Sequence, residues 1–188
     1  MRMWALMMGC VLLAGPPAVA RPKHRAPKAT ASMLVSFEVS NDADTVHQAW
    51  FVDGEGRTYW FVRTGGRDPL AEAERAGGIT PRDVSALVAA SRPLPNTIAA
   101  GELDRARSLL LGAQHSMVWT HRRRDPCKGG VTVAIRAYLF AAGRAAEAIP
   151  LRETTCNWLV DENLSPEAQE LIEWVYRQSG QPRPRLRR

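Results

Sequence analysis

Hydrophobic and polar positions alternate along the first part of the chain as the strands of a sheet require. Over 33–40 every second residue is apolar, and two further runs rich in β-branched and aromatic residues cover 46–52 and 57–64. The two glycines of 53–56 separate these two runs and suit a tight turn. The pattern therefore predicts a three-stranded antiparallel meander.

The hairpin predicted across 53–56 carries aromatic residues on both of its faces. Pairing across this turn places Trp50 beside Tyr59 on one face and leaves Trp60 on the other. The first face also holds Val52 and Phe61, and the second holds Phe51 and Val62. In a hairpin with one solvent-exposed face, apolar and polar residues alternate along each strand. They do not alternate in this hairpin. We expect either that core and helix cover both faces, or that one face is a binding surface with Trp50, Tyr59 and Trp60 as candidates.

Helix signals follow in the middle of the chain. A short helix is expected to begin near Pro69, and Thr80 begins the next one as the N-cap of a capping box. The proline-rich segment that starts at Pro93 ends this second helix. A third helix is predicted over 102–111, with Gly112 as its terminator.

Strand patterns return in the second half of the chain, before a last helix. They cover 116–122, 131–140 and 146–153, of which the last two are joined by a short reversal. Ser165 caps a final helix that has a continuous apolar face. The sequence thus predicts an α+β fold in which an antiparallel sheet of two β-meander or hairpin units carries helices packed on it. We expect a single domain over 32–178.

The first twenty residues have the composition of a secretory signal peptide. An apolar run over 3–14 follows a positive start, and small residues at 18 and 20 form a cleavage site. The run is shorter than the ~20 residues that cross a bilayer. We therefore predict removal of 1–20, rather than lipidation of Cys10 or a retained anchor. The mature protein is then exported to the periplasm or secreted, with no integral membrane segment.

Basic residues are concentrated at the two ends of the chain. There are 25 Lys and Arg residues against 19 Asp and Glu, a net charge of +6. Nine of the basic residues lie before residue 29 or after residue 180, which leaves 16 basic and 19 acidic residues between them. The tails 21–31 and 179–188 also contain prolines, which keep like-charged segments extended. They predict either solubilising ends or attachment to an anionic envelope polymer or lipid, and no nucleic-acid partner.

Two cysteines remain once the signal peptide is removed. An even number of cysteines in an oxidising compartment predicts a disulfide, here between Cys127 and Cys156. If the reversal between 131–140 and 146–153 centres on 141–142, these two cysteines face each other across the hairpin. A disulfide that closes a loop of this size contributes about 2–4 kcal/mol.

Catalytic motifs are missing from the sequence. It contains no nucleophile elbow, zinc-binding His-Glu helix or phosphate-binding loop. His115 and His121 are six residues apart on one predicted strand, about 20 Å, so they do not share a metal. No cofactor or metal is therefore predicted. The one dense basic cluster inside the fold is either a solvated loop or a site for an anion or carboxylate, and it consists of Arg122, Arg123 and Arg124.

These features favour an exported domain without catalytic activity that binds a protein or a cell-envelope component. The predicted disulfide, the aromatic hairpin and the basic tails carry this expectation. The alternative is a small exported hydrolase whose site is assembled from His47 or His121 with acidic residues and arginines. The first hypothesis predicts an exposed aromatic patch, and the second predicts a pocket that contains one of these histidines.

Overall fold

The computed structural model describes residues 32–41, 46–64, 69–121, 130–141, 144–156 and 158–183. Its strands are β1 (Ser32–Asn41), β2 (Val46–Val52), β3 (Arg57–Thr64), β4 (Arg92–Thr97), β5 (Val118–Thr120), β6 (Val131–Phe140), β7 (Ile149–Thr155) and β8 (Trp158–Asn163). Its helices are α1 (Pro69–Arg75), α2 (Pro81–Ala89), α3 (Ala100–Ala113) and α4 (Pro166–Ser179). The strands form one antiparallel sheet in the order β4-β3-β2-β1-β6-β7-β8-β5. The predicted α+β fold with an antiparallel sheet is confirmed.

Two strand units meet at the centre of this sheet. Strands β1 to β4 occupy one half in chain order, while β6, β7 and β8 form a second meander with β5 at its outer edge. The halves are joined by β1 and β6, which pair along their whole length, from Ser32 opposite Phe140 to Asn41 opposite Val131. Helix α3 connects β4 to β5, the two outer edges, and therefore crosses the sheet.

Helices cover both faces of the sheet. Helices α3 and α4 pack together on one face, in a core cluster that includes Phe37 and Trp50. Helices α1 and α2 cover the other face, where Leu70 and Leu87 join Phe51 in a second cluster. Apolar side chains are buried on both sides of the β2–β3 hairpin. This explains why its sequence does not alternate between apolar and polar residues, as strands with one solvent-exposed face do.

Two of the predicted helix starts are confirmed by their capping hydrogen bonds. Thr80 N–H donates to Asp83 Oδ2 at 2.8 Å, and Asp83 N–H donates to Thr80 Oγ1 at 3.4 Å, which completes the capping box. Ala168 N–H donates to Ser165 Oγ at 3.1 Å at the start of α4. Such caps contribute about 1 kcal/mol each. They are predictable because both partners lie within three residues of each other.

Several elements differ from the prediction. The prolines at 93 and 95 follow α2 but belong to β4, an edge strand, where a missing amide is tolerated. Gly112 does not terminate α3, which continues to Ala113. Strand β8 has no counterpart in the sequence pattern, and it forms because β7 and β5 pair with it on its two sides. Strand β5 is three residues long, shorter than the predicted 116–122.

The turn between β2 and β3 is one residue longer than the predicted pairing requires. Gly56 adopts a positive φ of 81°, and its N–H donates to Asp53 O at 3.0 Å. Trp50 therefore pairs with Trp60, and Tyr59 lies on the opposite face of the hairpin. The prediction that Trp50 and Tyr59 share a face is wrong, because a one-residue shift in register moves every side chain of a strand to the other face.

The second hairpin also pairs in a register that differs from the prediction. Thr132 pairs with Thr155, and Cys156 N–H donates to Val131 O at 2.9 Å. Cys127 precedes Val131 by four positions and lies outside the described residues. The predicted register of this hairpin is wrong, because β7 begins later than expected and β6–β7 contains a bulge. The disulfide itself stays a prediction.

Other predictions concern segments beyond the described residues. The signal peptide 1–20, the tail 21–31 and the end of the C-terminal tail after 183 belong to this group. Within the described ranges, no helix has the length and apolar character that crossing a membrane demands. The domain boundaries and the export of the protein stay predictions.

Candidate functional site

The aromatic residues of the β2–β3 hairpin belong to the core. Trp50 is 2% exposed beneath α3 and α4, and Trp60 packs, half-buried, against the same cluster. Tyr59 is buried on the opposite face, where its hydroxyl donates to Asp53 Oδ2 at 3.2 Å. These three residues therefore form no shared exposed surface, because core and helices cover both faces of the hairpin. The remaining candidate binding residues lie outside the described part of the chain: Arg122, Arg123 and Arg124.

A buried ion network crosses the centre of the sheet. Arg136 of β6 donates from Nη1 to Glu38 Oε2 at 2.7 Å and from Nη2 to Glu153 Oε2 at 3.2 Å. Ser36 Oγ donates to the other oxygen of Glu38 at 2.5 Å. The network thus links the side chains of β1, β6 and β7. Glu38 is 3% exposed, whereas Arg136 and Glu153 are half-buried, so the network reaches solvent at its β7 end.

The charges of this network shift the pKa values of the groups around it. Burial opposes the charge of Arg136, but attraction by Glu38 and its neighbours outweighs burial and raises the pKa of the guanidinium. Burial raises the pKa of Tyr138, and the charges of Glu38 and Glu74 raise it further. The Tyr138 hydroxyl donates to Glu74 Oε1 of α1 at 2.6 Å. Because these groups bind one another, the arrangement suits a structural role that ties α1 to the sheet.

The histidines of the alternative hydrolase site lie on different strands. His47 is buried in β2, with its ring centroid 5.9 Å from that of Phe61. His121 follows β5, and its ring packs edge-on against Trp119 with 3.7 Å between centroids. The Nε2 atom of His121 is buried without a hydrogen-bond partner among the described residues. Within those residues, no three His, Cys, Asp or Glu side chains are grouped so that they could hold a metal ion.

The two outer edges of the sheet differ in how well they are protected from pairing with an additional strand. Edge strand β4 contains Pro93 and Pro95, which lack the amide hydrogen that strand pairing uses. Edge strand β5 contains no proline, and apolar side chains surround it. Met117 beside it is 76% exposed, and Trp119 within it is 50% exposed. Of these two edges, β5 is the one suited to accept a further strand.

Exposed apolar residues extend beyond β5 itself. Continuing the register of β5 and β8 by one pair places Met117 opposite Leu164, which is also exposed. Leu111, in the last turn of α3, is exposed as well. We call Met117, Trp119 and Leu164 the edge patch. Grouped exposed apolar side chains at a sheet edge are typical of interaction sites.

The backbone of β5 also directs hydrogen-bonding groups away from the sheet. His121 N–H donates to Val160 O at 2.7 Å, so residue 121 is a hydrogen-bonded position of the ladder with β8. Antiparallel ladders alternate such positions, which makes Trp119 the next one. Val118 and Thr120 therefore direct their N–H and C=O groups away from the sheet. An extended segment placed beside β5 can bind these groups.

Neither the ion network nor the edge patch is detectable in the sequence. Arg136 and Glu38 are 98 positions apart, and no local pattern links them. Trp119 lies in a predicted strand, but its exposure depends on the place of that strand at the edge of the sheet.

Comparison of the chain with models of protein families, with curated proteins and with solved structures gives no match.

Proposed function

We propose that this protein is an exported, non-catalytic binding domain that takes up an extended segment of a partner protein along β5. The observation that carries the proposal is the contrast between the two sheet edges, of which β4 has two prolines and β5 has the exposed Met117 and Trp119. A segment that pairs with an edge strand gains main-chain hydrogen bonds, and its side chains contact the surface around that strand. The edge patch supplies such a surface.

The energetics of strand addition depend on both the backbone of β5 and the edge patch. Strand β5 has three residues, so backbone pairing offers few hydrogen bonds, each worth about 1 kcal/mol net. Burying a large exposed apolar side chain contributes roughly 1.5–3 kcal/mol. Met117 is 76% and Trp119 50% exposed, so these two side chains together contribute about as much as the backbone of β5. We expect the partner segment to carry apolar side chains opposite these two residues.

Segments outside the described residues fit the same proposal. The signal peptide at 1–20 would deliver the chain to the periplasm or the medium, where a Cys127–Cys156 disulfide would form. Arg122–Arg124 follow β5 directly in the sequence and would favour acidic residues in the partner. The basic tails would add a weak attraction to anionic envelope polymers.

Site-specific photocrosslinking in the native host tests the proposal. A photoreactive phenylalanine analogue replaces Trp119 in the full-length chain, and the same analogue at Val62 of β3 is the matched control, since Val62 is also 50% exposed. We expect position 119 to crosslink to a discrete protein and position 62 not to do so. Thr120→Pro, which removes an outward N–H, and Met117→Ser should each weaken this crosslink.

Three outcomes contradict the proposal. The first is crosslinking of both positions to the same proteins, and the second is crosslinking from 119 that neither Thr120→Pro nor Met117→Ser changes. The third is a product with twice the mass of the chain, which would identify the occupant of the edge as a second copy. The hydrolase alternative would replace the proposal if the purified chain had a hydrolytic activity that His121→Ala abolished.

A further inference from the structure

A second surface lies on the side of the sheet that faces away from α3 and α4. The register of β6, β7 and β8 aligns one row of side chains, those of Thr132, Thr155 and Trp158. The next row, across β7, β8 and β5, consists of Glu153, Asp161 and Thr120. We call these six residues the polar shelf.

The polar shelf differs from the rest of the face to which it belongs. Towards β1, β2 and β3 this face carries the apolar cluster beneath α1 and α2, apart from the buried Ser36 and Glu38 of the ion network. On the shelf Thr120 is exposed, Trp158 is 38% exposed, and the other four residues are half-buried. The change from apolar to polar occurs next to Arg136, whose guanidinium reaches Glu153. An exposed indole among polar side chains adds nothing to the core, which points to a role in binding.

Hydrogen-bonding capacity on the shelf is not fully used within the described chain. Asp161 Oδ1 is buried there without a hydrogen-bond partner. Buried acceptors are nearly always bonded, so an acceptor that is unpaired among the described residues indicates a donor outside them. The hydroxyls of Thr132 and Thr155 lie 3.1 Å apart and share one hydrogen bond, which leaves one hydroxyl proton available. A ligand rich in hydroxyl groups would satisfy both needs.

We propose that the polar shelf binds an uncharged saccharide chain. A sugar ring has an apolar face, which suits the indole of Trp158, and a rim of hydroxyl groups, which suits Asp161 and the two threonines. The charge of the shelf determines which class of saccharide it can bind. At the described residues of the shelf and its border, the three carboxylates of Asp161, Glu153 and Glu38 outnumber the one guanidinium, that of Arg136, so this charge repels anionic polymers.

The dimensions of the shelf suit a chain rather than a single sugar. From Thr120 on β5 to Thr132 on β6 the shelf crosses three strand spacings, about 14 Å. Trp119 and Thr120 are consecutive in β5, so the edge patch and the shelf lie on opposite faces of the sheet. Saccharide binding therefore goes beyond the proposed strand addition, and either can fail without the other.

Affinity electrophoresis tests this inference with the full chain. The protein migrates in native gels that contain glycol chitin, glucomannan or hydroxyethylcellulose, in high salt, which screens the attraction of the basic tails. We expect at least one of these neutral polymers to retard the chain. Trp158→Ala should weaken this binding about tenfold. Trp119→Ala, the matched control on the other face, should bind like the unsubstituted chain.

Asp161→Asn is the second variant. It keeps the size of the side chain, so we expect the variant to fold. It changes an acceptor-only group into one that also donates, and we expect weaker retardation by the same polymer. The inference is overturned if none of the three polymers retards the chain. It is also overturned if Trp158→Ala and Asp161→Asn are retarded as strongly as the unsubstituted chain, or if Trp119→Ala loses as much retardation as Trp158→Ala.

Discussion

Arg136 Nη1 lies 2.7 Å from Glu38 Oε2 in the centre of the sheet, although the two residues are 98 positions apart in the chain. Their strands, β6 and β1, form the pair that joins the two halves of the sheet. Glu38 is almost fully buried, so its charge depends on this guanidinium and on the Ser36 hydroxyl. The two halves of the sheet are therefore joined by this ion pair as well as by the backbone hydrogen bonds between β1 and β6.

Arg136→Met is expected to destabilise the fold because it removes a cation that pairs with the buried charge of Glu38. The expected loss in the free energy of unfolding is about 3 kcal/mol, measured by urea denaturation followed by tryptophan fluorescence. The double variant Arg136→Met/Glu38→Leu should recover much of the loss. Arg105→Met is the control, because Arg105 and Glu170 form a solvent-exposed pair, worth at most about 1 kcal/mol. Equal losses from Arg136→Met and Arg105→Met would contradict the prediction.

Ionisation of the tyrosines should occur together with unfolding at high pH. Burial raises the pKa of each of the three tyrosines, Tyr59, Tyr138 and Tyr176, above its ordinary value of 10.0. The unfolded chain then loses phenol protons first, so this contribution to stability is complete below pH 10 and is lost as the pH rises further. Phenolate absorbance and far-UV circular dichroism should therefore change together above pH 10. Phenolate absorbance that rises near pH 10 in a folded chain would refute this.

Two glycines of α3 should respond in opposite directions to alanine. At Gly112 a Cβ would lie 2.7 Å from Glu167 Cγ of α4, so Gly112→Ala forces the Glu167 side chain to another rotamer and costs about 1 kcal/mol. At Gly101 a Cβ would meet nothing within 4 Å, so Gly101→Ala should stabilise the helix by up to about 1 kcal/mol. Thermal unfolding of the two variants measures both effects. A stabilising Gly112→Ala would show that α3 and α4 pack less closely than their contacts indicate.

The Cys127–Cys156 disulfide can be tested by thiol counting. We expect the mature exported chain, unfolded in denaturant, to show no free thiol, and to show two after reduction. Cys127→Ser/Cys156→Ser should lower the free energy of unfolding by about 2–4 kcal/mol, because the unfolded chain gains freedom. One free thiol per chain before reduction would instead indicate pairing with another molecule.

Local sequence patterns by themselves determined much of the secondary structure. The bounds of β2, β3 and β6 agree with the predicted ranges 46–52, 57–64 and 131–140, because strand periodicity acts within a few residues. The starts of α2 and α4 at Thr80 and Ser165 were predictable for the same reason, since each cap binds a backbone group three residues away.

Only the tertiary structure decided which of these elements carry exposed residues. One added residue in the turn at Gly56 set which aromatic residues share a face, and the helices then covered both faces. The order of the strands placed β5 at an edge, which exposed Trp119, and placed β1 beside β6, which brought Glu38 to Arg136. Burial and ion pairing depend on partners distant in the chain, whereas periodicity and capping depend on near neighbours. The elements could therefore be predicted, and the candidate surfaces could not.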